Sequence, residues 1–447
     1  MNILIKSGLA LLFDGQTFKI EQKDIAIKGN EINRIAAPGS LDSSPEEEVK
    51  VIDAKGKLVM PGLINAHTHA YMSLFRNYAD DEDFWDWLAA VQKVEEDMTE
   101  EDCYYGTLLN IMEMFQTGTT CFVDMNIKSA KKGKQTGPES ACAGAAAEAK
   151  IRAVITRGLA GAAEDADSLV KFRETTDEMD TFAGNDLVKF WFGPHAPYSC
   201  MADYLQKLTK EAKERSIGIN IHLSESEGEV ENMQKDQGKT PIQYVADLGV
   251  FEVPTIAAHC VQATDADIQL MKEKNVSVAM NPKSNMKLGN GFMPAEKMLN
   301  AGVNLCLGTD GCGSNNTQNM FAEMNAAALI YKGANKKAQC ISAEDVLKFA
   351  TVNGAKAIGM EGRLGILKEG ALADVIILDI NTPQFYPSSN LVSALVYSAT
   401  GREVETVIVN GEPVMENRKI LTVDAEKVCY ECEMIADRLG MLKNKII

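Results

Sequence analysis

The chain has 447 residues, 45% of them hydrophobic and 24% charged, and a formal net charge of −18. That length exceeds what a single hydrophobic core organises, so one large domain with a smaller companion is expected. The acidic balance repels nucleic acid and anionic membrane surfaces, which argues against both as partners and for a small molecule. No apolar run approaches the length of a membrane span, and the N-terminus lacks the pattern of a secretion signal. Ten cysteines lie scattered without framework spacing, as expected of free thiols in a cytoplasmic protein. Cys429 and Cys432 form the one CxxC; it sits in a charged segment of helical character with no second pair, which favours helix packing over zinc or redox chemistry.

Residues 1–57 carry short alternating strands broken by Gly8, Asp14-Gly15 and Gly29-Asn30, the pattern of hairpins. Residues 363–423 repeat that texture, with strand-like runs at 373–379 and 405–411. Isolated hairpins bury too little surface to be stable alone, so the two segments predict one discontinuous β-sandwich domain built from both ends. Residues 424–447 have helical spacing at Val428, Cys432, Ile435 and Leu439 and predict a C-terminal helix docked on the surface.

The middle, residues 58–362, alternates apolar runs with helical segments. The runs fall at 58–69, 120–126, 151–159, 188–197, 218–225, 255–262, 276–285 and 303–311. Eight parallel βα units close a (β/α)8 TIM-like barrel, so the fold class expected is α/β. Between the first two runs, residues 99–116 read as a helix capped by Thr99, with Asp102 at its positive end and Gly118 stopping it.

All five histidines end such runs: His67 and His69, His195, His222 and His259, with Asp310 closing the eighth. Residues two apart in a strand face the same side, so His67-Thr68-His69 aims two imidazoles at one point. Asp124, Arg157, Glu225, Asn281 and Asn285 also stand at run ends, the face where such barrels gather their active sites. Three neutral nitrogens and a carboxylate, from His67, His69, His222 and Asp310, suit one divalent metal ion with a position open to water; zinc is the first choice and ferrous iron the alternative. His195 occupies the fourth run's end in place of a lysine that could bridge a second ion, which argues for one metal. Glu225 can reach over that ion without ligating it, in a dry site where a carboxylic acid shuttles protons. Its neighbours Glu227, Glu229 and Glu231 read as exposed loop acids. His259 can hydrogen-bond the attacking oxygen. No Pro-Cys-x-x-Cys accompanies a His-x-Glu, which excludes the thiolate-zinc design of cytidine-type deaminases, and no glycine-rich phosphate loop follows a strand.

Residues 61–69 (PGLINAHTH), 193–198 (GPHAPY), 222–225 (HLSE) and 308–311 (GTDG) resemble the amidohydrolase superfamily. Within it, residues 281–288 (NPKSNMKL) and 314–316 (SNN) are similar to the S-adenosylhomocysteine/5′-methylthioadenosine deaminase family, and the likeness covers nearly the whole chain. The resemblance implies His67, His69, His222 and Asp310 as metal ligands, with Asp310 also the base toward the attacking water. It implies attack at carbon 6 of adenine while Glu225 protonates ring nitrogen 1 and His259 steadies the incoming oxygen, giving an inosyl product and ammonia. It further implies that His195 contacts the nucleoside, that Ser314 lies near the substrate's distal end, and that Glu95, or adjacent Glu96, holds the ribose hydroxyls. Arg157 would stand on the sulfur side, where it could clamp a homocysteinyl carboxylate.

Three places depart from the family pattern. Residues 90–94 stand where Trp-Pro is common, the loop at 127–140 is longer and carries four lysines, and Cys312 follows Asp310-Gly311 in place of a small alanine. The rival readings are another mononuclear amidohydrolase, such as a guanine or pterin deaminase or a triazine chlorohydrolase, and a non-catalytic scaffold, which retention of every ligand disfavours. Barrels of this size with a side domain commonly form homo-oligomers, though no stretch names an interface.

Overall fold

A computed structural model describes residues 2–41, 49–126 and 138–442. The acidic run 46–48 and most of the expected loop at 127–140 lie outside the described residues; a helix, Pro138–Ala149, begins at the end of that loop.

Eight parallel strands form the barrel: β1 (Leu63–Thr68), β2 (Thr119–Asn126), β3 (Arg152–Leu159), β4 (Val188–Phe190, continued at Gly193–Pro194), β5 (Ile219–Leu223), β6 (Thr255–His259), β7 (Ser277–Met280) and β8 (Asn304–Leu307). β1 to β4 pair in one run and β5 to β8 in another. A bridge between Phe192 and Ile219 joins β4 to β5. On the other side the Asp310 N–H donates to the His67 carbonyl at 2.9 Å, which closes β8 onto β1. Every residue of β1, β2 and β3 is buried, as a parallel sheet covered on both faces requires.

The apolar run at 58–69, expected to be one barrel strand, is two. Lys57–Pro61 belongs to a nine-stranded sheet, where it pairs antiparallel with Val375–Asp379 and parallel with Asn2–Phe13. The change of sheet falls at Gly62, whose N–H donates to the Asp374 carbonyl at 3.0 Å, while the next N–H, of Leu63, donates to Gly118 at 2.9 Å. A Cβ at Gly62 would sit 2.0 Å from Thr120 Oγ1, so only glycine fits between the two sheets. The nine-stranded sheet thus draws strands from both ends of the chain.

Arg152, the first residue of β3, ties barrel to side sheet. Its Nε and Nη2 donate to the two oxygens of Asp374 at 3.1 and 3.0 Å, a buried two-point pair. The C-terminal helix Ala425–Arg438 buries Val428, Cys432, Ile435 and Ala436. It lies against the helix Glu100–Gln116, where the Cys432 thiol meets the Tyr105 carbonyl at 3.4 Å, while Cys429 is exposed. That second helix opens with the expected cap: Thr99 and Asp102 form a reciprocal capping box. Among the described residues no helix is long and apolar enough to cross a membrane.

Candidate active site

The chain leaves the strands carrying the polar residues through left-handed turns. Ser224 (φ 49°), His259 (72°), Cys260 (49°) and Asp310 (60°) all adopt positive φ without being glycine. Such conformations cost about 1–2 kcal/mol each and cluster where surrounding bonds over-determine them.

Four of the residues expected to hold a metal converge. His69 Nε2 lies 3.2 Å from both Asp310 Oδ1 and His222 Nε2, and His67 Nε2 lies 3.6 Å from Asp310 Oδ1. His69 Nδ1 points at the Met125 carbonyl and His222 Nδ1 at the His195 carbonyl, 2.8 Å away in the second case. A carbonyl fixes the proton on Nδ1, so both rings turn an unprotonated Nε2 to the centre. Both nitrogens of His67 are buried without a hydrogen-bond partner. A buried polar atom left this way is costly, and a cation at the centre would satisfy it. His259 is close enough to join: its donor atom falls within 4.8 Å of those of His67 and His222.

Burial pushes His67 and His195 down to about 4 and His222 well below its ordinary value, which keeps these rings neutral and able to ligate. At His69 burial is outweighed by the hydrogen bond and charge of Asp310, and the ring is raised. Burial would also raise Asp310, yet the adjacent His67 and His69 rings hold it well below the carboxylate range. The cluster therefore gathers one anion with imidazoles that burial keeps neutral at His67 and His222, a donor set that fits a single divalent metal ion.

Asp310 is braced from several directions. Its Oδ2 accepts the hydroxyls of Ser284 at 2.6 Å and Ser314 at 2.8 Å, and its carbonyl accepts Gln318 Nε2 at 2.9 Å. Ser314, expected near the far end of a substrate, here donates to this carboxylate and orients it. His259 Nδ1 meets Asn285 Oδ1 at 2.8 Å.

A cavity opens beside the cluster and brings His69, His195, His222, Glu225, His259 and Asp310 to one wall. The facing wall is the helix α1 (Phe84–Glu95), which turns Phe84, Trp87, Leu88, Val91 and Glu95 inward from positions three and four apart, one helical face. Glu95 is buried and accepts the Tyr71 hydroxyl, whereas Glu96 is exposed, which separates two neighbours that the sequence left ambiguous. Trp87 Nε1 donates to the Gly313 carbonyl at 2.9 Å, pinning α1 to the turn after Asp310.

Burial, reinforced by the charge of Asp310, pushes the Glu225 carboxyl up to about 8, and Asn290 Nδ2 holds its Oε1 at 3.0 Å. Glu229, expected to be an exposed loop acid like Glu227 and Glu231, is buried beneath Glu225, because its carboxylate accepts the N–H groups of Ser224 and Glu225. Arg157, expected on the substrate's sulfur side, is buried elsewhere. Its Nη1 donates to Glu174 Oε2 at 2.8 Å on the helix Ala166–Thr181, and it is not among the described residues that line the cavity.

Several contributors escaped the sequence reading: the apolar face of α1, Tyr71, Ser284, Asn290 and Glu229. Only α1 had a local signal, the spacing of 84, 87, 88, 91 and 95.

A parallel barrel whose C-terminal face presents this histidine and aspartate cluster defines a metal-dependent hydrolase. Residues 58–414 match the amidohydrolase family, and the chain belongs to it. Over 443 residues it is 43% identical to a 5-methylthioadenosine/S-adenosylhomocysteine deaminase of Thermoanaerobacter pseudethanolicus, covering 98% of this chain and 99% of that one. It is 38% identical to a 5′-deoxyadenosine deaminase of Methanosarcina mazei, covering 98% of both. A crystal structure of an adenosine deaminase from Xanthomonas campestris with bound zinc superposes with a TM-score of 0.91 at 28% identity, covering 98% of this chain and 99% of that one.

Proposed function

We propose that this chain is a metal-dependent aminohydrolase of 5′-substituted adenine nucleosides, converting 5′-methylthioadenosine and S-adenosylhomocysteine to their inosyl products and ammonia. The observation that carries this reading is one cavity that joins the Glu225 carboxyl and the histidine cluster at one wall to Glu95 at the other. A free base would need no partner like Glu95, whereas ribose hydroxyls are natural donors to it. The names of the full-length relatives point the same way.

His67, His69, His222 and Asp310 would hold the ion. Zinc is preferred over ferrous iron for this nitrogen-rich set and is the ion in the Xanthomonas structure. Such an ion, when bound, acidifies a water and stabilises charge at the attacked centre. Asp310 takes the proton released from that water. Glu225, protonated by its burial, donates to ring nitrogen 1 as oxygen adds at carbon 6, so the ring's added electron pair is neutralised where it collects. His259, with its Nδ1 proton on Asn285, offers Nε2 as an acceptor to the attacking water and so orients it. Asp310 then returns its proton to the amino group, which leaves as ammonia, and the hydroxyl at carbon 6 gives its proton back to Glu225 as the carbonyl forms. His195 and the apolar face of α1 enclose the nucleoside. Free cysteines at all ten positions support action in the reducing cytoplasm.

Ammonia release by metal-replete protein, measured in parallel on 5′-methylthioadenosine, S-adenosylhomocysteine, adenosine and guanine, tests the reading. Fast turnover of the thio-nucleosides is expected. Turnover of guanine with silence on every adenosine would overturn it.

A further inference from the structure

Glu225 does not stand on a strand. β5 ends at Leu223, and Ser224 then takes a φ of 49°, which turns the chain so that Glu225 leaves the barrel wall and faces the cavity. The turn strips two N–H groups, of Ser224 and Glu225, from the ladder of the sheet. Both are recovered by one side chain: Glu229 accepts Ser224 N–H on Oε1 at 3.1 Å and Glu225 N–H on Oε2 at 2.7 Å. Glu229 is itself placed by the helix that begins at Glu227, where Ser226 caps the Glu229 N–H at 3.2 Å. Residues 224–229 thereby close a ring of three side-chain bonds. Opposite it, the Ser224 carbonyl accepts Gln262 N–H at 2.9 Å, so the turn is held on two sides.

We propose that Glu229 is a positioning residue, which grips the backbone beneath Glu225 and so sets where the proton is delivered; the inference rests on the acid role of Glu225 proposed above. Glu229 is 3% exposed and is not on the cavity wall, so it acts through Glu225 and not on substrate. Asn290 occupies Oε1 of Glu225. The backbone grip and this bond together leave Oε2 as the oxygen that carries the proton to the ring. A flexible turn would let Glu225 wander by an ångström, enough to reduce proton transfer strongly while leaving binding alone.

The test is a double-mutant cycle on metal-loaded protein with 5′-methylthioadenosine. Glu229→Gln sets an NH2 group against an N–H and breaks one of the two grips. The expected result is a kcat lower by about 10- to 100-fold, with KM within about threefold and metal content unchanged. In the Glu225→Gln background the same change should add less than about twofold, because the group it positions is gone. Glu229→Asp keeps the charge but shortens the reach and should lose less; it serves as the second variant if Glu229→Gln folds poorly. Additive losses in the two backgrounds, or a rise in KM at constant kcat, would overturn the positioning role. A wild type inactive on every adenine nucleoside defeats the proposed function itself, whereas an active wild type matched in kcat by Glu229→Gln and Glu229→Asp defeats this inference alone.

Discussion

Asn285 Oδ1 sits 2.8 Å from His259 Nδ1, while His259 Nε2 faces Asp310 Oδ2 at 4.0 Å, so a neutral amide decides which nitrogen of the ring looks into the site. An amide oxygen selects the Nδ1–H tautomer while drawing the ring toward the charged form less than a carboxylate would. Asn285→Asp is therefore expected to raise the His259 pKa and lower kcat, and Asn285→Leu to release the tautomer. Both should cost about 10- to 100-fold in kcat with little change in bound metal. Steady-state kinetics beside metal analysis checks this, and full activity in Asn285→Leu would refute it.

Ser284 donates to the same Asp310 oxygen as Ser314, from a different short helix. Removing the shorter bond in Ser284→Ala should cost about 10- to 100-fold in metal affinity or activity, as second-layer partners of ligands usually do. Chelator competition reads the affinity directly. The untreated protein should hold about one equivalent of divalent metal, and stripping it should abolish activity that returns on adding zinc.

The Glu225 carboxyl is pushed up to about 8 by burial, so it is protonated below that pH and ionised above it. The acid form does the work, hence kcat/KM should fall as pH rises through the folded value. A bound cation favours the carboxylate and draws that value down, which places the alkaline limb at or below about pH 8. Glu225→Gln should remove the limb along with most of the rate. A limb that persists in this variant would assign it to another group.

Glu95 is buried at the end of α1 and already accepts one hydroxyl, that of Tyr71. If it also takes a ribose hydroxyl, Glu95→Gln forfeits a hydrogen bond to a charged acceptor, about 1.5–3 kcal/mol, or roughly 10- to 150-fold in kcat/KM on nucleosides. Turnover of a ring lacking the sugar should not change. Equal activity of Glu95→Gln and wild type on the preferred nucleoside would remove Glu95 from the site.

Asp374→Ala leaves Arg152 buried without its partner between barrel and side sheet. Breaking a buried pair from one side costs about 3–5 kcal/mol, which denaturant unfolding would register as a lower midpoint. An unchanged midpoint would mean that Asn410, whose Oδ1 lies 3.2 Å from Arg152 Nη2, can replace the carboxylate.

The barrel and its metal cluster were legible because their signals are local. An apolar run ending in a polar residue marks both a buried strand and the residue at its mouth, and eight such runs, four of them ending in histidine, leave few alternative folds. The supporting polar residues were not legible for the opposite reason: Asn290 bonds Glu225 from 65 positions away, and nothing around Asn290 announces it. Glu229 misled through its neighbours, since a run of glutamates reads as solvated until helix geometry turns one of them inward. Ser314 and Arg157 carry donors that suit a substrate; the sequence does not show that Ser314 donates to Asp310 and Arg157 Nη1 to Glu174. The change of sheet at Gly62 was hidden because a continuous apolar run looks the same whichever sheet it joins.

Gly62 also constrains how this protein can be rebuilt. The strand bearing His67 continues directly from the side sheet across a residue that tolerates no side chain. Exchanging the side sheet between relatives at that boundary would cut five residues upstream of a ligand and through a joint with no room for a side chain. A recombination point at the exposed Asp14-Gly15 turn instead would carry residues 57–69 across as one piece, with the register of the two histidines intact.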